Sequence, residues 1–122
     1  MPMELPKASS AAVKLFQELV PEDPRVSSRK MFGQPAAFVN GNLFFGVFGG
    51  HLFVRLSEPD RSEAKRISGY VIFEPMPGRA MSEYMVIPSE ILNNRAQARE
   101  WVSRSLGFAA KLPRKKPKRA ST

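Results

Sequence analysis

Few residues of this 122-residue sequence are suited to proton transfer or metal binding. Histidine occurs once, at His51, and cysteine does not occur. A single imidazole cannot build a two-histidine metal face, and the absence of cysteine excludes thiolate zinc sites and cysteine nucleophiles. A hydrolase triad would need a serine beside His51, yet no G-x-S-x-G pattern marks a nucleophile. We therefore interpret His51 as an ordinary residue of a sheet surface.

Two carboxylates, Glu74 and Glu83, lie on neighbouring predicted strands. Two carboxylates that come close together could act as a general acid and a general base. No third group marks a cleft beside them, so solvated strand ends are the simpler interpretation. The glycines Gly46, Gly49 and Gly50 do not follow the phosphate-loop pattern G-x-x-x-x-G-K-[ST], and they lie in a predicted hairpin. The sequence predicts no catalytic, cofactor-binding or metal-binding set, so we expect a protein that is not an enzyme and carries no cofactor.

The densest positive charge lies at the C-terminal end. Of the 19 Lys and Arg residues, six fall within 111–119, which leaves 13 in the first 110 residues against all 11 Asp and Glu. Such a run contacts phosphates with an affinity that falls as salt rises, or it serves only as a solubilising tail. Beyond Pro113 there is no core-forming side chain, so we expect 111–122 to be flexible in isolation. The candidate nucleic-acid contacts are Lys111, Arg114, Lys115, Lys116, Lys118 and Arg119.

The central segment predicts a three-stranded meander. Asn40-Gly41 between two apolar runs indicates a two-residue type I′ turn, and Gly49-Gly50 indicates a second tight turn. With both loops at two residues, one face of the meander is wholly apolar and the other is aromatic with a cationic edge. The predicted apolar face holds Ala36, Phe38, Leu43, Phe45, Val47, Leu52, Val54 and Leu56. The predicted aromatic face holds Ala37, Phe44, Gly46, Phe48, His51, Phe53 and Arg55.

The aromatic face admits two functions. Exposed aromatic rings beside cations stack single-stranded bases in several binding modules. Large exposed apolar patches are rare on monomers, and helices are available for both faces, so core packing or self-association is the favoured interpretation. The candidate interface or ligand residues are Phe44, Phe48, His51, Phe53 and Arg55.

Capping and breaking residues predict the remaining elements. The predicted helices run from Ser9 or Ser10 to Val20, from Ser57 to Ser68, and from Asn94 to Ala110, the last with a short turn before it. Further strands are predicted at 26–32, 70–74 and 81–87. The sum is an α+β fold: an antiparallel sheet of about five to six strands with a central meander, flanked by an N-terminal helix, a short middle helix and a long C-terminal helix.

Length and composition favour one domain at 1–110, followed by a basic tail at 111–122. An apolar content of 43% and nine Phe residues indicate a folded core. No stretch approaches the roughly 20 apolar residues of a membrane helix, and no signal-peptide pattern opens the chain. We therefore expect a cytoplasmic location and no membrane partner.

Several motifs occur in the same order as in a known protein family. They are Arg29-Lys30-Met31-Phe32-Gly33, Phe38-Val39-Asn40-Gly41-Asn42-Leu43-Phe44, Leu52-Phe53-Val54-Arg55-Leu56, Phe73, Pro77-Gly78-Arg79, Met81-Ser82-Glu83-Tyr84, Val86 and Trp101-Val102. The sequence resembles the N-terminal domain family of TfoX (Sxy), the bacterial competence regulator, and especially its stand-alone single-domain members. The resemblance implies an antiparallel sheet flanked by helices, in a family known for regulation of transcription rather than for catalysis. It supplies no catalytic residues.

Two functions follow from these observations. The first is a non-enzymatic regulatory module that acts through a protein partner and through weak nucleic-acid contact by the tail. The second is a small ligand-binding or homodimeric interaction domain that uses the aromatic sheet face. An enzyme ranks third, and a pocket joining His51 to Glu74 or Glu83 would favour it.

Overall fold

Six strands and four helices make up the described part of the chain, which the computed structural model gives as residues 7–31, 33–67, 69–74, 78 and 80–114. The predicted α+β class is confirmed, and the predicted elements agree with the observed ones to within a few residues. In chain order they are α1 (Ser10–Leu19), β1 (Val26–Met31), β2 (Gln34–Val39), β3 (Asn42–Phe48), β4 (His51–Arg55), α2 (Glu58–Ala64), β5 (Val71–Phe73), β6 (Met81–Val86), α3 (Ser89–Leu92) and α4 (Arg95–Ala110).

All six strands form one antiparallel sheet in the order β1-β2-β3-β4-β6-β5. Tight turns set the register of its centre. Asn40 and Gly41 both adopt positive φ, at 52° and 77°, as a type I′ turn requires. The last hairpin folds back so that β6 lies beside β4, and this brings the Glu83–Tyr84 segment next to Arg55.

A β-bulge in β3 changes the predicted division of the two faces. Phe38 pairs with Leu43 and Ala37 pairs with Phe45, so Phe44 is an extra residue without a partner on β2. The bulge shifts β2 and the start of β3 by one residue relative to the predicted register, and a shift of one residue moves side chains to the opposite face of the sheet. The residues whose predicted face was wrong are Ala36, Ala37, Phe38, Leu43 and Phe44.

Helices α1 and α4 cover one face of the sheet. Helix α1 begins after Ser9, whose hydroxyl accepts a hydrogen bond from the Ala12 amide, and α4 begins after Asn94, which caps it in the same way. The Phe16 ring of α1 stacks on Phe45 at 4.9 Å between centroids. The buried stripe of α4 is the predicted one: Ala98, Trp101, Val102, Ser105, Leu106 and Ala109.

The other face of the sheet holds a second apolar cluster built from strand residues. Phe53 and Phe73 stack at 4.2 Å with an interplanar angle of 6°, and Phe48 meets Phe73 edge-on at 5.3 Å. The buried members are Ala36, Leu43, Phe48, Phe53 and Phe73, with Met31, Phe38, Met81, Tyr84 and Val86 packed around them. In the described ranges, no helix is both long and apolar enough to cross a membrane.

Candidate functional site

The predicted aromatic face is divided between the two sides of the sheet. Phe44 lies on the helix-covered side because of the bulge, and its ring is fully buried. Phe48 and Phe53 lie on the other side, where they are buried against Phe73. Their rings are therefore core side chains of the monomer and do not form an open platform for bases. His51 is exposed at the start of β4, opposite Phe48.

The two predicted carboxylates bind different groups. Glu74 accepts a hydrogen bond of 2.7 Å from the Gly78 amide in the turn after β5. Glu83 accepts from Arg55, with distances of 2.7 Å from Nε and 2.6 Å from an Nη nitrogen. These contacts give Glu74 the role of a turn acceptor and Glu83 that of an ion-pair partner. Across the described residues, no cluster of three or more His, Asp or Glu side chains suits a metal ion.

A cleft of about 300 Å³ opens on the face of the sheet that the helices leave uncovered. It joins residues from β1, β2, β3, β4 and β6 with one turn residue, because β6 lies beside β4 in the sheet. Its lining combines apolar side chains with the polar side chains of Arg55 and Tyr84. The lining residues are Met31, Phe38, Gly41, Asn42, Leu43, Arg55, Met81 and Tyr84.

Arg55 supplies positive charge to the cleft. Its side chain is 21% exposed, and its guanidinium lies 5.6 Å from the centroid of the Tyr84 ring and 5.9 Å from that of Phe108. A guanidinium carries five N–H donors, and the Glu83 carboxylate uses two of them. The arrangement leaves Arg55 donors for a second anion at the cleft.

Tyr84 closes one wall of the cleft as a neutral phenol. Its hydroxyl donates a hydrogen bond of 3.2 Å to the Leu43 carbonyl. Burial raises the pKa of the Tyr84 hydroxyl above its usual value of 10.0, against the opposing effect of the Arg55 charge. The phenol therefore keeps its proton at neutral pH and holds β6 against β3 across the sheet.

A second cation lies on the same face of the sheet. The Arg29 guanidinium is 4.1 Å from the centroid of the Phe38 ring, and Arg29 itself is exposed on the edge strand β1. A cation stacked on a ring in this way is an ordinary cation–π contact. The Arg29 guanidinium therefore covers one side of the Phe38 ring.

The C-terminal basic segment begins at the rim of this cleft. The Asn40 side-chain amide donates to the Ala110 carbonyl at 3.3 Å, and that of Asn42 donates to the Pro113 carbonyl at 3.1 Å. Asn42 is also one of the residues that line the cleft. Lys111 and Arg114 are exposed. The other four predicted tail contacts, Lys115, Lys116, Lys118 and Arg119, lie outside the described residues.

Comparison with protein-family models matches residues 15–109 to the TfoX N-terminal domain. The chain belongs to the TfoX N-terminal domain family. The match covers the sheet and nearly all of α4, and it ends before the basic segment that starts at Lys111. No curated protein matches the chain.

The sequence predicts Arg55 as a site residue but does not predict most of its neighbours in the cleft. Asn42 and Tyr84 stand out only as parts of motifs, because their contacts with Pro113 and Leu43 span 71 and 41 positions of the sequence. One pattern could have pointed to the site: Glu83 is an acid on a strand that pairs beside Arg55. An ion pair across adjacent strands is a usual cross-strand contact.

Proposed function

We propose that this TfoX N-terminal domain protein is a non-catalytic regulatory module that contacts nucleic acid through its C-terminal basic segment. The observation that carries the proposal is the attachment of that segment to the folded domain. Asn40 and Asn42 hold the chain as far as Pro113, so the cations from Arg114 onward start at a fixed point on the surface. A run tethered in this way delivers positive charge beside the domain instead of at the end of a long linker.

The distribution of charge supports the same function. The first 110 residues are nearly balanced, while the segment after them carries six cations and no acidic residue. Phosphate contacts by such cations give affinity without sequence preference, and that affinity falls steeply with salt. A regulatory role agrees with membership of the TfoX N-terminal domain family. In this proposal the folded domain recognises any specific protein partner, and the basic segment contacts nucleic acid.

Two matched triple variants test this proposal. The first replaces the segment cations Lys115, Lys116 and Lys118 with Gln. The second replaces Lys14, Lys65 and Arg66, which are exposed on the body, with Gln. Both variants lose three positive charges, so any effect of net charge alone is the same in the two proteins.

Binding of labelled single-stranded DNA, duplex DNA and RNA is measured by fluorescence anisotropy at about 50 mM salt. We expect the segment variant to lose at least tenfold in affinity, and the body variant to keep an affinity close to that of the natural chain. Equal losses in both variants would overturn the assignment to the segment. Absence of binding by the natural chain would overturn the nucleic-acid function itself.

A further inference from the structure

We propose that the cleft beside Asn42 binds one unpaired nucleotide, so that a single strand bound by the basic segment also contacts the sheet. This inference rests on the proposed nucleic-acid function and adds a site to it. The observation behind it is a juxtaposition. One residue of the cleft lining, Asn42, binds the start of the basic segment, and the same lining contains Arg55, two aromatic rings and two methionines.

The lining of the cleft suits a flat base. Phe38 and Tyr84 contribute rings, and Met31 and Met81 contribute polarisable side chains that adapt to irregular apolar surfaces. All four side chains are only partly buried. Aromatic rings bind any of the bases, because every base has a flat face that stacks. The cleft volume of about 300 Å³ is at the small end for ligand sites, which excludes large ligands.

The charges around the cleft suit the phosphate of the same nucleotide. Arg55 and Arg29 lie on this face of the sheet, and Arg114 follows directly after the Pro113 carbonyl that Asn42 binds. Glu83 offsets part of this charge through its ion pair with Arg55. The remaining Arg55 donors bind a phosphate oxygen of that nucleotide.

A duplex cannot use this site. Its bases are paired and stacked, so entry of one base into the cleft would first require unstacking at a cost of a few kcal/mol. The cleft therefore gives the protein a preference for single strands over duplexes, which the basic segment alone would not supply.

Methionine methyl groups report occupancy of the cleft in the natural chain. Met31 and Met81 line the cleft, whereas Met85 is buried in the core on the helix-covered side and serves as the control. The protein carries ¹³C-labelled methionine methyls and is titrated with a single-stranded oligonucleotide, its duplex, and a free mononucleotide. We expect the single strand to shift the Met31 and Met81 signals, and the duplex to leave both unchanged. The Met85 signal stays in place in every titration.

The outcomes separate this site from the proposed function. If the strand binds in the anisotropy assay and leaves the Met31 and Met81 signals in place, the cleft proposal is overturned while binding by the segment stands. If no strand binds, the mononucleotide decides: a shift of both signals supports the cleft as a site for a free nucleotide, and no shift overturns it.

Two substitutions add an energetic test. Arg55→Gln and Tyr84→Leu should each lower single-strand affinity about tenfold and leave duplex affinity unchanged, since a charged hydrogen bond or a base–ring stack is lost. Arg95→Gln, which removes an arginine paired with Glu18, is the matched control and should have no effect. Equal losses for single strand and duplex in the Arg55 variant would contradict the cleft site.

Discussion

The Ser105 hydroxyl donates a hydrogen bond of 2.8 Å to the carbonyl of Phe44. Ser105 is fully buried in α4, and Phe44 is the extra residue of the β3 bulge. A bulged residue leaves the regular ladder, so its carbonyl would be buried without a partner on β2. Ser105, a polar residue in the apolar stripe of α4, therefore stabilises the β3 bulge. This bulge determines which side chains lie on each face of the sheet.

Replacing Ser105 with Ala should destabilise the fold. The substitution removes the donor and leaves the buried Phe44 carbonyl without it, which costs about 1–3 kcal/mol of unfolding free energy. Urea denaturation measures this loss. Ser103→Ala on the exposed side of the same helix is the control, and it should leave stability almost unchanged. Identical unfolding midpoints for the two variants would contradict the role given to Ser105.

Replacing Gly46 or Gly107 with alanine should change the stability of the fold in opposite directions. A Cβ at Gly46 would lie 2.7 Å from the Phe53 ring, which is buried and stacked on Phe73, so Gly46→Ala should destabilise by about 1–3 kcal/mol. A Cβ at Gly107 meets nothing within 4 Å on the exposed side of α4, so Gly107→Ala should stabilise by about 0.5–1 kcal/mol. Thermal unfolding distinguishes the two. A Gly46 variant as stable as the natural chain would contradict the described packing of Phe53.

Asp23 should titrate well below an ordinary aspartate. Hydrogen bonds from the Arg25 side chain, and then from its backbone amide, lower the pKa of the Asp23 carboxyl from 3.8 to about 2. Because the folded-state pKa is depressed, the pair stabilises the fold fully above about pH 4 and loses this effect as pH falls towards 2. Carboxyl ¹³C NMR of the natural chain and of Arg25→Gln measures both midpoints. The variant should titrate at a higher pH, and an unchanged midpoint would contradict the assignment.

Asn42 should control how firmly the end of α4 is attached. Asn42→Ala removes the hydrogen bond to the Pro113 carbonyl, so residues after Ala110 should open more often. Limited trypsin digestion then cuts faster after Lys111, several-fold relative to the natural chain. Asn93→Ala, at the exposed end of α3, is the matched control. If both variants are cut at the natural rate, Asn42 does not anchor the segment.

The fold could largely be predicted because its elements depend on local residues. Asn40-Gly41 determines a turn with two positive φ values, Ser9 and Asn94 cap their helices, and the spacing of apolar residues along α4 marks its buried side. Each of these features acts within a few positions of the chain. The turn, the helix caps and the buried side of α4 could therefore be predicted without knowledge of the tertiary structure.

The bulge could not be predicted from the same information. Leu43, Phe44 and Phe45 are all apolar, so burial does not distinguish a regular strand from one with an extra residue. Its stabilising partner, Ser105, lies 61 positions away. The cleft was missed for the same reason, since it depends on β6 lying beside β4 and on contacts between distant strands.

The salt dependence of single-strand binding tests the central claim most directly. The slope of log Kobs against log salt counts phosphate contacts, at about 0.7 per contact for single strands. Replacing Lys115, Lys116 and Lys118 with Gln should make this slope shallower by about 2, if each of the three binds a phosphate. The body variant at Lys14, Lys65 and Arg66 should keep the natural slope. An unchanged slope in the segment variant would contradict nucleic-acid contact through the C-terminal segment.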